Sequence, residues 1–210
     1  MSVNVKICGL TSVGDALAVA GAGADMIGLM YYESSPRHVD WATAIAIARA
    51  LPPQVVKVGV FVNPSTEAVQ RAIAECGVSL LQFHGDESPE FCTQFGVMSL
   101  KAFRIRAAAS LAELPSYPTN AWLLDAFSPT ALGGTGEQFN WELALEAKKL
   151  GRPIFLAGGL TPDNVAEAVR RVQPFAVDVS SGVESAPGKK DPAKVRAFIA
   201  AAKGVVTPEA

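Results

Sequence analysis

Three features of this 210-residue chain could do chemistry together. The first is Cys8, which follows Lys6 by two places and adjoins Gly9. A thiolate can take a proton from carbon when nearby positive charge or backbone amides lower its pKa. The second is Asp125, the only charged residue between Glu113 and Glu137, at the end of the apolar run Trp122-Leu123-Leu124. A carboxylate leaving an apolar strand is partly desolvated, which raises its pKa and suits it to donate a proton. A strand-end Asp that caps a local turn is the plainer alternative. The third is a pair of loops, Gly158-Gly159 and Ser180-Ser181-Gly182, each ahead of a helical stretch. Exposed amides in glycine turns near a helix start form an anion cradle; ordinary tight turns are again the alternative. A base, an acid and a phosphate cradle describe a proton-shuttling isomerase that needs no cofactor.

Other polar residues add no rival chemistry. Cys76 and Cys92 fall on helical runs and read as small buried hydrophobes. The two histidines, His38 and His84, have no metal-ligand spacing with the cysteines, so no metal is expected.

These residues need a scaffold that brings them to one place. Short apolar runs at Val3–Ile7, Met26–Met30, Val55–Val62, Leu80–Phe83, Ser99–Phe103, Ala121–Leu124, Ile154–Ala157 and Ala176–Val179 lack strict alternation. That pattern fits strands buried on both faces. Helical runs lie between them: Val13–Ala22, Trp41–Leu51, Thr66–Cys76, Trp141–Leu150, Asn164–Val172 and Ala193–Lys203, with shorter ones at Pro89–Phe95 and Ala107–Leu114. Asn63-Pro64, Ser88-Pro89, Thr161-Pro162 and Asp191-Pro192 mark helix starts, and Gly77 and Gly151 mark ends. Eight β-then-α units of about 26 residues each fit the 210 residues. The predicted fold is α/β, a (β/α)8 TIM barrel of near minimal size, as a single domain over residues 1–203 with a tail at 204–210. A doubly wound open sheet is the alternative.

In such a barrel the active site lies at the C-terminal ends of the strands. Cys8, Asp125 and both glycine loops fall there. Strands one and six are expected on opposite sides of the ring, with the phosphate held over strands seven and eight between them.

Composition closes off other classes. Lys plus Arg number 18 and Asp plus Glu 20, so the net charge of −2 lacks the basic footprint of a nucleic-acid binder. Three cysteines argue against a disulfide framework and for a reducing compartment. The apolar stretch Ala16–Tyr32 contains Asp25 and is broken by Gly21 and Gly23. A membrane span needs about 20 mostly apolar residues without such breaks. A soluble cytoplasmic protein is expected, with monomer and homodimer both compatible with its apolar helices.

The motifs also carry a family resemblance across nearly the whole chain. Lys6-Ile7-Cys8-Gly9-Leu10-Thr11, Ser35-Pro36-Arg37, Gly59-Val60-Phe61-Val62-Asn63, Leu81-Gln82-Phe83-His84-Gly85 and Leu123-Leu124-Asp125 resemble the phosphoribosylanthranilate isomerases. So do Gly133-Gly134-Thr135-Gly136 with Phe139 and Trp141, Leu156-Ala157-Gly158-Gly159-Leu160, and Asp178-Val179-Ser180-Ser181-Gly182-Val183-Glu184. Asn140 departs from the family's Asp before the Trp, although Asn caps a helix as well as Asp.

The resemblance implies an Amadori rearrangement in tryptophan biosynthesis. N-(5-phosphoribosyl)anthranilate becomes the 1-(2-carboxyphenylamino)-1-deoxyribulose 5-phosphate. It implies Asp125 as general acid and Cys8 as general base. Arg37 would pair with the anthranilate carboxylate. Gln82, His84, Gly134 and Asp178 would bind substrate, with Asp178 either tuning the site or satisfying Lys6. Gly158, Gly159, Ser180, Ser181 and Gly182 would hold phosphate. Two rivals remain: another phosphosugar isomerase or epimerase on the same barrel, and a non-catalytic phosphate-binding barrel. Cys8 separates the chain from the histidine-pathway isomerase, which typically carries Asp there.

Overall fold

The computed structural model describes residues 2–126 and 141–205. Eight parallel strands close a barrel in simple sequence order: β1 Asn4–Cys8, β2 Met26–Met30, β3 Val56–Phe61, β4 Leu80–Phe83, β5 Met98–Ile105, β6 Ala121–Ala126, β7 Ile154–Ala157 and β8 Ala176–Val179. Closure is the β1–β8 pairing, with Lys6 opposite Asp178. The open-sheet alternative is thereby excluded.

The lack of strict alternation in the strands has a direct cause. One set of side chains, including Val58, Val60, Leu80, Leu100, Leu123 and Phe155, fills the barrel interior. The other set, including Ile7, Ile27, Leu81, Phe83, Leu124 and Leu156, packs outward under the helices. Both faces are therefore apolar.

The helices are α1 Val13–Gly21, α2 Trp41–Ala50, α3 Thr66–Cys76, α4 Pro89–Thr93, α5 Trp141–Lys148, α6 Val165–Val172 and α7 Pro192–Lys203. Ser88 and Asp191 cap α4 and α7 directly before a proline at the first turn. At the other two proline signals the cap lies further on: Ser65 caps α3, and Asn164 precedes α6. Gly77 ends α3 in a left-handed conformation.

One predicted helix does not form. Ala107–Leu114 is replaced by two 3-10 turns, Ala108–Leu111 and Leu114–Ser116. Pro115 cannot donate to the carbonyl of Leu111, so an α-helix cannot run through it. Three-residue turns tolerate the interruption. Three strands run further than expected toward the active face: β1 ends on Cys8, β5 runs to Ile105 and β6 carries Asp125 within its ladder. An antiparallel pair, β9 Glu184–Ala186 and β10 Lys189–Lys190, follows β8 and was not anticipated. No helix among the described residues is long and apolar enough to cross a membrane.

Candidate active site

A cavity of about 330 Å3 opens at the C-terminal end of the barrel. Cys8, Arg37, Gln82, His84, Asp125, Gly158, Gly159, Asp178, Ser180, Ser181 and Gly182 all line it. The structure thus brings together every described residue that the sequence singled out for the site. Gly134 lies outside the described residues, as do Phe139 and Asn140. Strands β1 and β6 stand three places apart around the ring rather than opposite, with β7 and β8 on the shorter arc between them. The glycine loops follow β7 and β8, so they span the interval between thiol and carboxylate.

The thiol side is buried and densely paired. Lys6 is fully buried, and its Nζ donates to Asp178 Oδ1 at 2.9 Å. Asp178 thus satisfies Lys6, and it also lines the cavity. Burial alone would lower the Lys6 pKa, but the Asp178 charge, with Cys8 beside it, raises it instead. The ammonium is thus retained inside the barrel. Burial pushes the Cys8 thiol up, against the opposing pull of Lys6. The sequence pointed to a lowered pKa from nearby positive charge, and the pull exists. Desolvation outweighs it, because the thiol is only 7% exposed.

Around this pair the loops are tied by further charges. Arg37 forks onto Glu184, with Nε to Oε1 at 2.9 Å and Nη2 to Oε2 at 2.7 Å. Lys190 Nζ also donates to Glu184 Oε1 at 2.8 Å and reaches the Ser180 carbonyl at 3.3 Å. Burial pushes the Glu184 carboxyl up, yet Arg37 and Lys190 together hold it below its ordinary value. Ser180 Oγ donates to the Cys8 carbonyl at 3.0 Å, which fastens the β8 loop to the end of β1.

Two glycines leave no room for a side chain. Gly9 has φ +77°, and a Cβ there would meet Arg37 Cδ at 2.7 Å. At Gly182 a Cβ would meet the Leu160 carbonyl oxygen at 2.0 Å. The glycine loops after β7 and β8 are thus packed directly against each other.

The carboxylate side is more open. The Asp125 side chain is 31% exposed, and its Oδ2 lies 3.5 Å from His84 Nε2. Gln82 Nε2 lies 3.2 Å from His84 Nδ1. The buried Gln82 Oε1 has no hydrogen-bond partner among the described residues. Below this group, Glu87 accepts from the amides of Asn63 and Gly85 and pairs with Lys101 at 2.9 Å. The loops after β3 and β4, and hence His84, are anchored by that buried pair.

Sequence reasoning missed Glu184 and Lys190 as site-building residues. Glu184 closed a quoted motif with no role attached. Lys190 sits in a Gly-Lys-Lys run that reads as solvated charge. Burial of both is set by the β9–β10 pair, which no local pattern announced.

Comparison with known proteins agrees with this geometry. Residues 5–201 match the family model described as N-(5'phosphoribosyl)anthranilate (PRA) isomerase. The N-(5'-phosphoribosyl)anthranilate isomerase of Trichlorobacter lovleyi is 53% identical over 201 residues, covering 96% of this chain and 98% of that one. The phosphoribosyl anthranilate isomerase of Thermotoga maritima superposes with a TM-score of 0.91 at 40% identity, covering 97% of this chain and 100% of that one. A phosphoribosyl anthranilate isomerase in complex with reduced 1-(o-carboxyphenylamino)-1-deoxyribulose 5-phosphate superposes with a TM-score of 0.87 at 38% identity, over 97% of this chain and 100% of that one.

Proposed function

The chain belongs to the N-(5'-phosphoribosyl)anthranilate isomerase family, and on that premise we propose that Cys8 and Asp125 are the base and acid of its reaction. The enzyme is an aldose–ketose isomerase of tryptophan biosynthesis, with no cofactor in the reaction. The observation that carries the assignment is one cavity lined by the thiol, the carboxyl group and both glycine loops.

The steps follow from the chemistry of the substrate. Asp125 gives its proton to the ribose ring oxygen, the C1–O bond breaks, and the nitrogen lone pair forms the Schiff base. The Cys8 thiolate then removes the proton from C2. The electrons move toward the iminium nitrogen, and the resulting enolamine tautomerises to the ketone. Cys8 enters the step as thiolate and leaves it as thiol, and the adjacent Lys6 ammonium compensates the charge that burial penalises.

Binding falls to local groups, because the chain carries a net charge of −2 and the substrate is anionic at both ends. Amides of Gly158, Gly159, Ser181 and Gly182 face the phosphate, with the Ser180 and Ser181 hydroxyls nearby. Arg37 takes the anthranilate carboxylate. Its Nε edge is committed to Glu184, so the carboxylate uses Nη1 and the free hydrogen of Nη2. Gln82, His84 and Asp178 line the sugar between these ends. The active unit is a cytoplasmic monomer or homodimer with no nucleic-acid or membrane partner.

The test is growth of a tryptophan auxotroph lacking this isomerase. The wild-type chain restores growth, and neither Cys8→Ser nor Asp125→Asn does. Growth restored by the double variant as well as by wild type would overturn the assignment.

A further inference from the structure

Resting on that reading of Asp125 as the acid, we propose that Gln82 and His84 form a tautomer-fixing relay that decides which oxygen of Asp125 carries the proton. The relay runs along the inner face of the barrel. Gln82 is 1% exposed on β4, His84 follows it, and Asp125 stands on β6. Gln82 Nε2 approaches His84 Nδ1 at 3.2 Å. With its amide nitrogen placed toward the ring, Gln82 donates, Nδ1 accepts and the ring proton resides on Nε2. Nε2 itself lies 3.5 Å from Asp125 Oδ2. Catalytic hydrogen bonds are commonly long before substrate arrives and tighten when it binds.

A protonated carboxyl has one O–H and one oxygen that only accepts. With Nε2–H donating to Oδ2, the proton is held on Oδ1. The second consequence concerns charge. An imidazolium beside Asp125 would favour the carboxylate and oppose its loading with a proton. A donor at Nδ1 occupies the lone pair that a second ring proton would need. Gln82 and His84 are in this view positioning residues, acting on the substrate's ring oxygen only through Asp125.

The polar balance of Gln82 supports a role beyond packing. A buried glutamine placed for stability would satisfy both ends of its amide. Here the nitrogen is engaged on His84, and Oε1 is left without a partner among the described residues. The Glu87–Lys101 pair beneath holds the following turn, so His84 can keep the short contact to Gln82 without it stabilising the loop itself.

The experiment combines 15N-detected imidazole spectra with steady-state kinetics on four chains: wild type, Gln82→Glu, Gln82→Met and Asp125→Asn. In wild type at neutral pH the His84 ring is expected as the neutral Nε2–H form. Gln82→Glu presents an acceptor to Nδ1, so the ring moves to the Nδ1–H or imidazolium form, and kcat falls about 30-fold with KM within threefold. Gln82→Met keeps shape but removes the donor, giving mixed tautomers and a kcat loss of about tenfold. Binding of the reduced product analogue, measured by calorimetry, checks that each variant retains a formed site. A wild-type ring in the Nδ1–H form, or unchanged kcat in both Gln82 variants, overturns the relay. Full turnover by Asp125→Asn overturns instead the assignment of the acid on which the relay rests. If Asp125→Asn is inactive while both Gln82 variants turn over normally, only the relay fails.

Discussion

The two sides of the cavity are built on opposite principles. At the β1–β8 seam, Lys6, Asp178, Glu184 and Lys190 are all buried, and each is ion-paired at 2.9 Å or closer. At the β4–β6 wall, Asp125 is a third exposed and its contact to His84 is 3.5 Å. A buried thiol must become an anion during turnover, so its surroundings have to offer compensating charge that does not move. The proposed acid needs no such cage. It needs access to the ring oxygen and a defined orientation. On the proposed assignment, the charge-paired side hosts the base and the open side the acid.

The largest test of this contrast removes the two groups themselves. Cys8→Ser and Asp125→Asn are each expected to lower kcat by about 10³-fold or more, in keeping with general acid–base contributions of 10² to 10⁴. Analogue affinity should stay within about tenfold, because the phosphate and carboxylate contacts remain. The measurement is loss of fluorescence as the anthranilate adduct is consumed. Should either variant keep more than about a tenth of wild-type kcat, its group is not transferring the proton in that step.

Next comes the cage. Lys6→Met leaves Asp178 as a buried carboxylate with no counter-charge, at a cost of about 3–5 kcal/mol in stability. Because the ammonium is also the main group pulling the Cys8 pKa down, the loss of kcat should exceed what unfolding explains. Pairing the change with Asp178→Leu tests the division. Urea unfolding should show stability largely restored in the double variant while kcat stays below that of Asp178→Leu alone, the comparison that accounts for the loss of Asp178 from the cavity. Recovery of both together would mean that Lys6 serves the fold alone.

How much of this was legible in the sequence differs between the same two sides. The eight strands were readable because each is apolar on both faces over a short run. Cys8 and Asp125 were readable because each ends such a run. The β5-to-β6 connection was misread as a helix because the alanines at 107–109 outweighed Pro115 in a local reading. The seam's ion pairs were hidden by distance: Arg37 and Glu184 are 147 residues apart, and Lys6 and Asp178 are 172 apart. Only the closing of the barrel brings them together, and no local periodicity encodes that pairing. The Cys8 environment was half legible. Lys6 at two residues' distance announced the positive charge, but the extent of burial that opposes it depends on the whole interior layer.

Glu184 offers a pH-dependent test of the seam. Its folded-state pKa lies below the ordinary 4.5. A depressed carboxyl contributes stability that is complete above the ordinary value and is lost as pH falls through the lower folded value. Glu184→Gln keeps an acceptor but leaves the buried Lys190 and the half-buried Arg37 without an anion, at about 1–3 kcal/mol near neutral pH. Unfolding curves taken from pH 7 downward should show the gap between wild type and variant narrowing below pH 4.5. A gap that stays constant across that range would remove Glu184 from the electrostatics of the seam. Because Arg37 also loses its anchor, KM should rise about tenfold with kcat little changed.

The smallest effect is expected at a hydroxyl clasp of the seam. Ser180 Oγ donates to the Cys8 carbonyl at 3.0 Å and receives Lys190 Nζ at 3.4 Å. Ser180→Ala removes the bond to the Cys8 carbonyl, about 0.5–1.5 kcal/mol, together with a long contact from Lys190, which keeps its pair with Glu184. The ion pairs that hold Lys190 and Arg37 to Glu184 are untouched, so the β8 loop should keep its path. The expected result is a KM rise of about threefold, kcat near wild type, and a drop in unfolding midpoint of a few degrees. If charges make the base side rigid, this variant must stay well above Lys6→Met in both activity and stability. A loss equal to that of Lys6→Met would put the rigidity in the hydroxyl clasp, and the contrast between the two walls would then rest on loop packing rather than on charge.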